Sequence, residues 1–164
     1  MSGNVRKITE YALFTALAFI FSYVESLFPL PVPFPGIKLG LANLVILLIL
    51  YRSGFAPALG ISLIRNVLNA FTFGNLFALF YSLAGSLLSL FVMEGLRRIK
   101  PLKLSVITVS CAGGVMHNVG QFLIASAIVG PGAVLPYLPF LYFAGLAAGI
   151  LIGIFGRMLL KRNM

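Results

Sequence analysis

The chain has 164 residues, of which 60% are hydrophobic and 9% charged, and its mean hydropathy is +1.08. A water-soluble domain carries about a quarter charged residues, so this composition excludes an aqueous surface and makes lipid the solvent for most of the chain. The only acids are Glu10, Glu25 and Glu94, with no aspartate, which excludes the Asp-rich magnesium clusters on which isoprenyl-chain synthesis is usually built. No GxxxxGK[ST] loop is present, so the chain does not hydrolyse ATP by itself.

Breaks at proline, glycine and charge clusters divide the chain into apolar segments near 6–28, 38–52, 55–72, 75–97, 104–129 and 136–160. The expected fold is all-α: a single integral membrane domain over 1–164, built as a compact bundle of six transmembrane helices. The first segment follows Arg6 and Lys7 and lacks an A-x-A cleavage pattern before Pro31, so it is read as a retained helix, not a signal peptide. Its cytoplasmic half holds Ala12 and Ala16, four residues apart, a spacing that lets another helix approach closely. Glu25 falls near its end.

Next comes Pro29-Leu30-Pro31-Val32-Pro33-Phe34-Pro35-Gly36, whose alternating prolines favour a stiff extended segment, either a cover over the bundle or a rigid connector. The second segment carries Lys38 and Asn43 and is short for a full crossing. The third carries Arg65, Asn66 and Asn69. The fifth contains Cys111, read as a small packed residue, and Gly113-Gly114-Val115-Met116-His117-Asn118-Val119-Gly120-Gln121. The sixth has Gly145, Gly149 and Gly153 at helical spacing, read as packing inside the bundle.

The net charge of +9 would suggest nucleic acid in a soluble protein, but these charges sit between apolar runs. With an interior N-terminus, Arg6, Lys7, Arg52, Arg97, Arg98, Lys100, Lys103, Arg157, Lys161 and Arg162 all fall on the cytoplasmic side. That is the positive-inside pattern, and it makes both termini cytoplasmic.

An ionisable side chain in hydrocarbon costs about 2.5–3.5 kcal/mol on insertion scales, so Arg65 is read as inward-facing. It lies 13 residues past Arg52, or ~20 Å along a helix, and Asn69 follows one turn further on the same face. His117 lies 14 residues past Lys103, or ~21 Å, with Gln121 one turn beyond. Arg65 and His117 therefore share a depth. Glu25, Lys38, Asn43, Asn69, Asn118 and Gln121 fall at or beyond it, toward the outside.

Two readings of this set stay open: an outward-facing pocket for an anionic or carbonyl-bearing molecule, or an internal ion-pair and amide network that fixes packing. Glu25 bears on both, since it can neutralise Arg65 or Lys38. One histidine without cysteine or carboxylate at ligand spacing does not make a metal site. Ser110 and His117, two turns apart, do not make a nucleophile and base. No catalytic residue and no cofactor are expected.

Three stretches carry a family likeness: Pro35-Gly36-Ile37-Lys38-Leu39-Gly40-Leu41-Ala42-Asn43, Ser82-Leu83-Ala84-Gly85-Ser86-Leu87-Leu88-Ser89, and the run from Gly113 to Gln121. They resemble the bacterial family labelled heptaprenyl diphosphate synthase component I, also called the Gx transporter family. That family is in turn similar to the substrate-binding S components of energy-coupling factor transporters.

The resemblance implies a six-helix protein of the bacterial cytoplasmic membrane that captures a small vitamin-like molecule from outside. A coupling membrane subunit and two ATPase subunits would supply the power, and no nucleic acid would be bound. It also implies that Ala12 and Ala16 contact the coupling subunit, as an Ala-x-x-x-Ala motif does in that class. The substrate-binding expectation rests on Lys38, Asn43, Arg65, Asn69, His117, Asn118 and Gln121, with Glu25 beside them. The family label itself implies the alternative, a membrane accessory of a prenyl diphosphate synthase.

Overall fold

The computed structural model describes residues 3–27, 40–99, 101 and 103–162, and every regular element among them is helical. In chain order these are α1 (Gly3–Leu27), α2 (Leu41–Arg52), α3 (Phe55–Thr72), α4 (Leu76–Arg98), α5 (Val106–Val129), the one-turn α6 (Pro131–Val134), a 3₁₀ turn (Leu135–Tyr137) and α7 (Leu138–Arg162). The six expected segments coincide with the six long helices to within three residues at each end. Lys38 and the proline-rich run 29–36 lie outside the described residues.

Local chemistry explains the boundaries. Ser53 and Gly54, the latter at φ 92°, turn the chain between α2 and α3. Asn75 caps α4 by accepting from the Ala78 N–H at 2.8 Å, and Ser105 caps α5 by accepting from Thr108 N–H. Gly130 at φ 94° ends α5, and Pro131 occupies the first turn of α6.

Four stretches are long and apolar enough to cross a bilayer: Asn4–Leu27, Leu76–Arg98, Val106–Val129 and Pro131–Lys161. The chain is therefore a multi-pass membrane protein. α3 has 18 residues, but Arg65, Asn66 and Asn69 interrupt its apolar character. α2 has 12 residues, ~18 Å against a hydrocarbon core of ~30 Å. Apart from Asn43 and the terminal Arg52 it is apolar all round, and such a helix belongs inside. Val45, Ile46, Leu47, Ile49 and Leu50 are buried there, packed among α1, α3 and α7.

Contacts at both ends set α1 and α2 antiparallel. Glu10 pairs with Arg52 at 3.7 Å near the N-terminal end of α1. At the other end, the Gly40 and Leu41 N–H groups both donate to Glu25 Oε1, the latter at 2.9 Å. Gly40 has no side chain to cap α2 and sits at φ 82°, so Glu25 supplies from α1 the acceptor that α2 lacks. We expect Glu25→Ala to cost about 1–3 kcal/mol by stranding those donors, and Glu25→Gln to cost less because an amide oxygen still accepts. Thermal unfolding of the purified protein in detergent checks this; a Glu25→Ala melting temperature equal to the parent's would contradict it.

α5 is the centre of the other half of the bundle, packed on α4 and α7 along two faces. Gly113 and Gly120 face α4, where a Cβ on Gly120 would stand 2.5 Å from the Ala84 carbonyl oxygen. Gly114 faces α7: a Cβ there would reach within 2.2 Å of the Gly145 carbonyl oxygen. On α7, Gly145, Gly149 and Gly153 meet Gly114, Cys111 and Ile107 of α5 in turn. The Gly-x-x-x-Gly spacing thus packs backbone on backbone within the bundle, where apolar lipid gives helices no hydrophobic drive to associate.

Candidate functional site

With 3.6 residues per turn, successive residues on α5 are rotated by about 100°, so Gly113 and Gly114 direct α4 and α7 to different sides. Between those sides a wedge remains, and Gln121 projects into it from α5. α1, α2 and α3 close the front. The enclosed space is a cavity of about 180 Å³, lined from α1, α2, α3, α4, α5 and α7. It lies toward the ends of α1, α3 and α5 that carry Glu25, Asn69 and Gln121, away from the chain termini.

Seven of the eight expected residues line this cavity: Glu25, Asn43, Arg65, Asn69, His117, Asn118 and Gln121. The eighth, Lys38, lies outside the described residues. Ala12 and Ala16 are elsewhere, exposed on α1.

Arg65 is the Lys or Arg side chain on the described lining and is 6% exposed. Its Nη2 donates to Asn66 Oδ1 at 3.0 Å and its Nη1 to Asn43 Oδ1 at 3.5 Å. Asn66 in turn donates from Nδ2 to Ser86 Oγ at 2.7 Å, tying α3 to α4. No carboxylate among the described residues comes within 4 Å of Arg65, because each acid is held elsewhere. Glu10 pairs with Arg52, Glu94 with Arg97 and Arg98, and Glu25 receives the α2 N–H groups. Of the two roles open to Glu25, neutralising Arg65 through a direct ion pair is not the one adopted.

Asn118 is committed to packing. Its Nδ2 donates to the Leu141 carbonyl oxygen at 2.7 Å, joining α5 to α7. Other polar atoms are not committed: Arg65 Nε, Asn69 Oδ1 and Gln121 Oε1 are buried without a hydrogen-bond partner among the described residues. A buried polar group left unpaired costs about 1–3 kcal/mol, and three around one hollow mark a place for a polar occupant. No group of three His, Cys or Glu side chains among the described residues could hold a metal ion.

Ser22, Tyr81 and Ser82 also line the cavity and are absent from the expected set. The run Ser82 to Ser89 held a usable signal, since Ser82 and Ser86 lie four apart on one face of an apolar helix. Tyr81 carried none, because a tyrosine near a helix end equally suits the lipid interface.

No curated protein and no solved structure matches the chain. One family model does, that of heptaprenyl diphosphate synthase component I, over residues 14–159. That match takes in α2 to α6 entire, most of α1 and α7, and every residue named around the cavity, and so the chain belongs to the heptaprenyl diphosphate synthase component I family.

Proposed function

We propose that the chain is the substrate-binding subunit of an energy-coupling factor type importer in a bacterial cytoplasmic membrane, with both termini inside and the cavity open to the outside. One observation carries the reading: a buried arginine with no carboxylate within 4 Å among the described residues stands in a cavity where Asn69 Oδ1 and Gln121 Oε1 also lack hydrogen-bond partners among them. Such a site binds a small anionic or polar molecule and does no chemistry on it. Ten of the twelve basic residues, all but Lys38 and Arg65, fall by the sequence reading at the end opposite the cavity, the pattern that the positive-inside rule gives for an outward-facing site.

Transport then needs a motor from elsewhere, since no nucleotide-binding loop is present. α1 offers the surface for it: Ala12 and Ala16 are exposed, flanked by exposed Ile8, Leu13 and Ile20. Ala12→Leu with Ala16→Leu is expected to abolish co-purification of a coupling subunit and its ATPase pair, leaving ligand binding by the subunit alone unchanged. Intact co-purification would remove α1 as the docking face. The family description favours a second reading, in which the protein assists a soluble prenyl diphosphate synthase that brings its own aspartates and magnesium. Recovery of that synthase in place of an ATPase pair would select it.

A further inference from the structure

Granting that the cavity is the ligand site, its lining also restricts the chemical class of the occupant. Arg65 is the single cation on the described lining and Glu25 the single acid, and Glu25 is tied to the start of α2. One anionic group satisfies Arg65. A diphosphate brings more than one negative charge, an excess that the described lining does not balance and that Glu25 on it would repel.

The uncommitted acceptors, Asn69 Oδ1 on α3 and Gln121 Oε1 on α5, call for N–H or O–H donors on the occupant. Shape adds a third restriction. Gly114, Ala144, Gly145 and Ala148 carry no side chain larger than a methyl group, so their part of the lining offers no polar side chain, while Tyr81 lines the cavity from α4. Small apolar residues and an aromatic side chain suit a ring. At about 180 Å³ the space is below the ~300–1,000 Å³ of drug-sized sites, so it takes one small ring and not a chain of isoprene units.

We infer that the occupant is a small ring compound bearing one anionic group and at least one N–H or O–H donor, in preference to a phosphorylated isoprenoid. The test is thermal stability of the purified full chain in detergent with 4-aminobenzoate, benzoate, aniline and isopentenyl diphosphate, each at millimolar concentration. 4-Aminobenzoate is expected to raise the melting temperature saturably. Benzoate, lacking the donor, and aniline, lacking the anion, are each expected to bind about tenfold more weakly or worse, and isopentenyl diphosphate to give no shift.

Gln121→Leu with Asn69→Leu is expected to lower 4-aminobenzoate to the level of benzoate. These two changes leave the Arg65 contacts in place, so they test the donor requirement without touching the charge. A larger shift with isopentenyl diphosphate than with 4-aminobenzoate, or no saturable shift with 4-aminobenzoate, overturns the inferred class while the cavity stands as a site for another ligand. A 4-aminobenzoate shift that survives Arg65→Ala overturns the class and the cavity as the binding site together.

Discussion

Arg65→Ala is expected to abolish saturable binding of 4-aminobenzoate, or of any vitamin-like compound that stabilises the parent, while the helices still insert. The buried guanidinium has no carboxylate within 4 Å among the described residues, so an occupant's anion can pair with it directly. A charge-assisted hydrogen bond is worth about 1.5–3 kcal/mol, and a paired arginine fork makes two, so affinity should fall by about 100-fold or more. Insertion moves the other way, because removing an arginine from mid-membrane relieves about 2.5–3.5 kcal/mol on insertion scales. The variant is therefore expected to insert at least as well as the parent, with binding gone. Equal affinity for parent and variant would make Arg65 a packing residue that only links Asn43 and Asn66.

The second large effect is structural. In Gly114→Leu the new Cβ would stand 2.2 Å from the Gly145 carbonyl oxygen and 3.1 Å from the Gly149 nitrogen. Both are backbone atoms, so no rotamer change relieves the clash, and α7 must move away from α5. Overpacking typically costs about 1–3 kcal/mol and more where backbone must shift, enough to lower the melting temperature by roughly 10 °C in a chain of this size. Binding should fall with it, since Gly114 and Gly145 both line the cavity. Gly95→Ala is the control: nothing lies within 4 Å of its Cβ position, and alanine in a helix is favoured over glycine by about 0.5–1 kcal/mol. Equal melting of Gly114→Leu and parent would show that α5 and α7 do not pack so closely.

Together the two substitutions separate what binds from what builds. Arg65 is expected to contribute to affinity at the expense of insertion, and Gly114 to contribute to stability on which the cavity depends. A ligand titration and a melting curve on each variant distinguish the two roles.

What was readable before folding follows from how local the information is. Composition gave the solvent, and prolines, glycines and charges gave helix ends to within three residues. Depth was also readable: rise per residue is constant, so Arg65 and His117 could be set at one level by counting from Arg52 and Lys103. Seven residues chosen that way line one cavity.

Direction around each helix axis was not readable in this way, because it depends on which neighbours pack where. α2 looked like a short, doubtful span, and the fold makes it the buried centre of its half of the bundle, shielded by α1, α3 and α7. Glu25 looked like a counter-ion for Arg65 or Lys38, and 15 residues further along Gly40 takes it as a helix cap, a contact that no local pattern encodes. Asn118, one residue from His117, lines the cavity while its Nδ2 donates to the Leu141 carbonyl oxygen, a bond that no local pattern encodes.

By itself, then, the sequence determined the lipid solvent, the helix boundaries and the level at which polar groups gather, because each depends on residue type and on distance along one chain. Only the tertiary structure decided which groups meet, which are already satisfied and which remain for a ligand. Hydrogen bonds and close backbone contacts between helices depend on rotation and register, and packing sets those for all the helices at once.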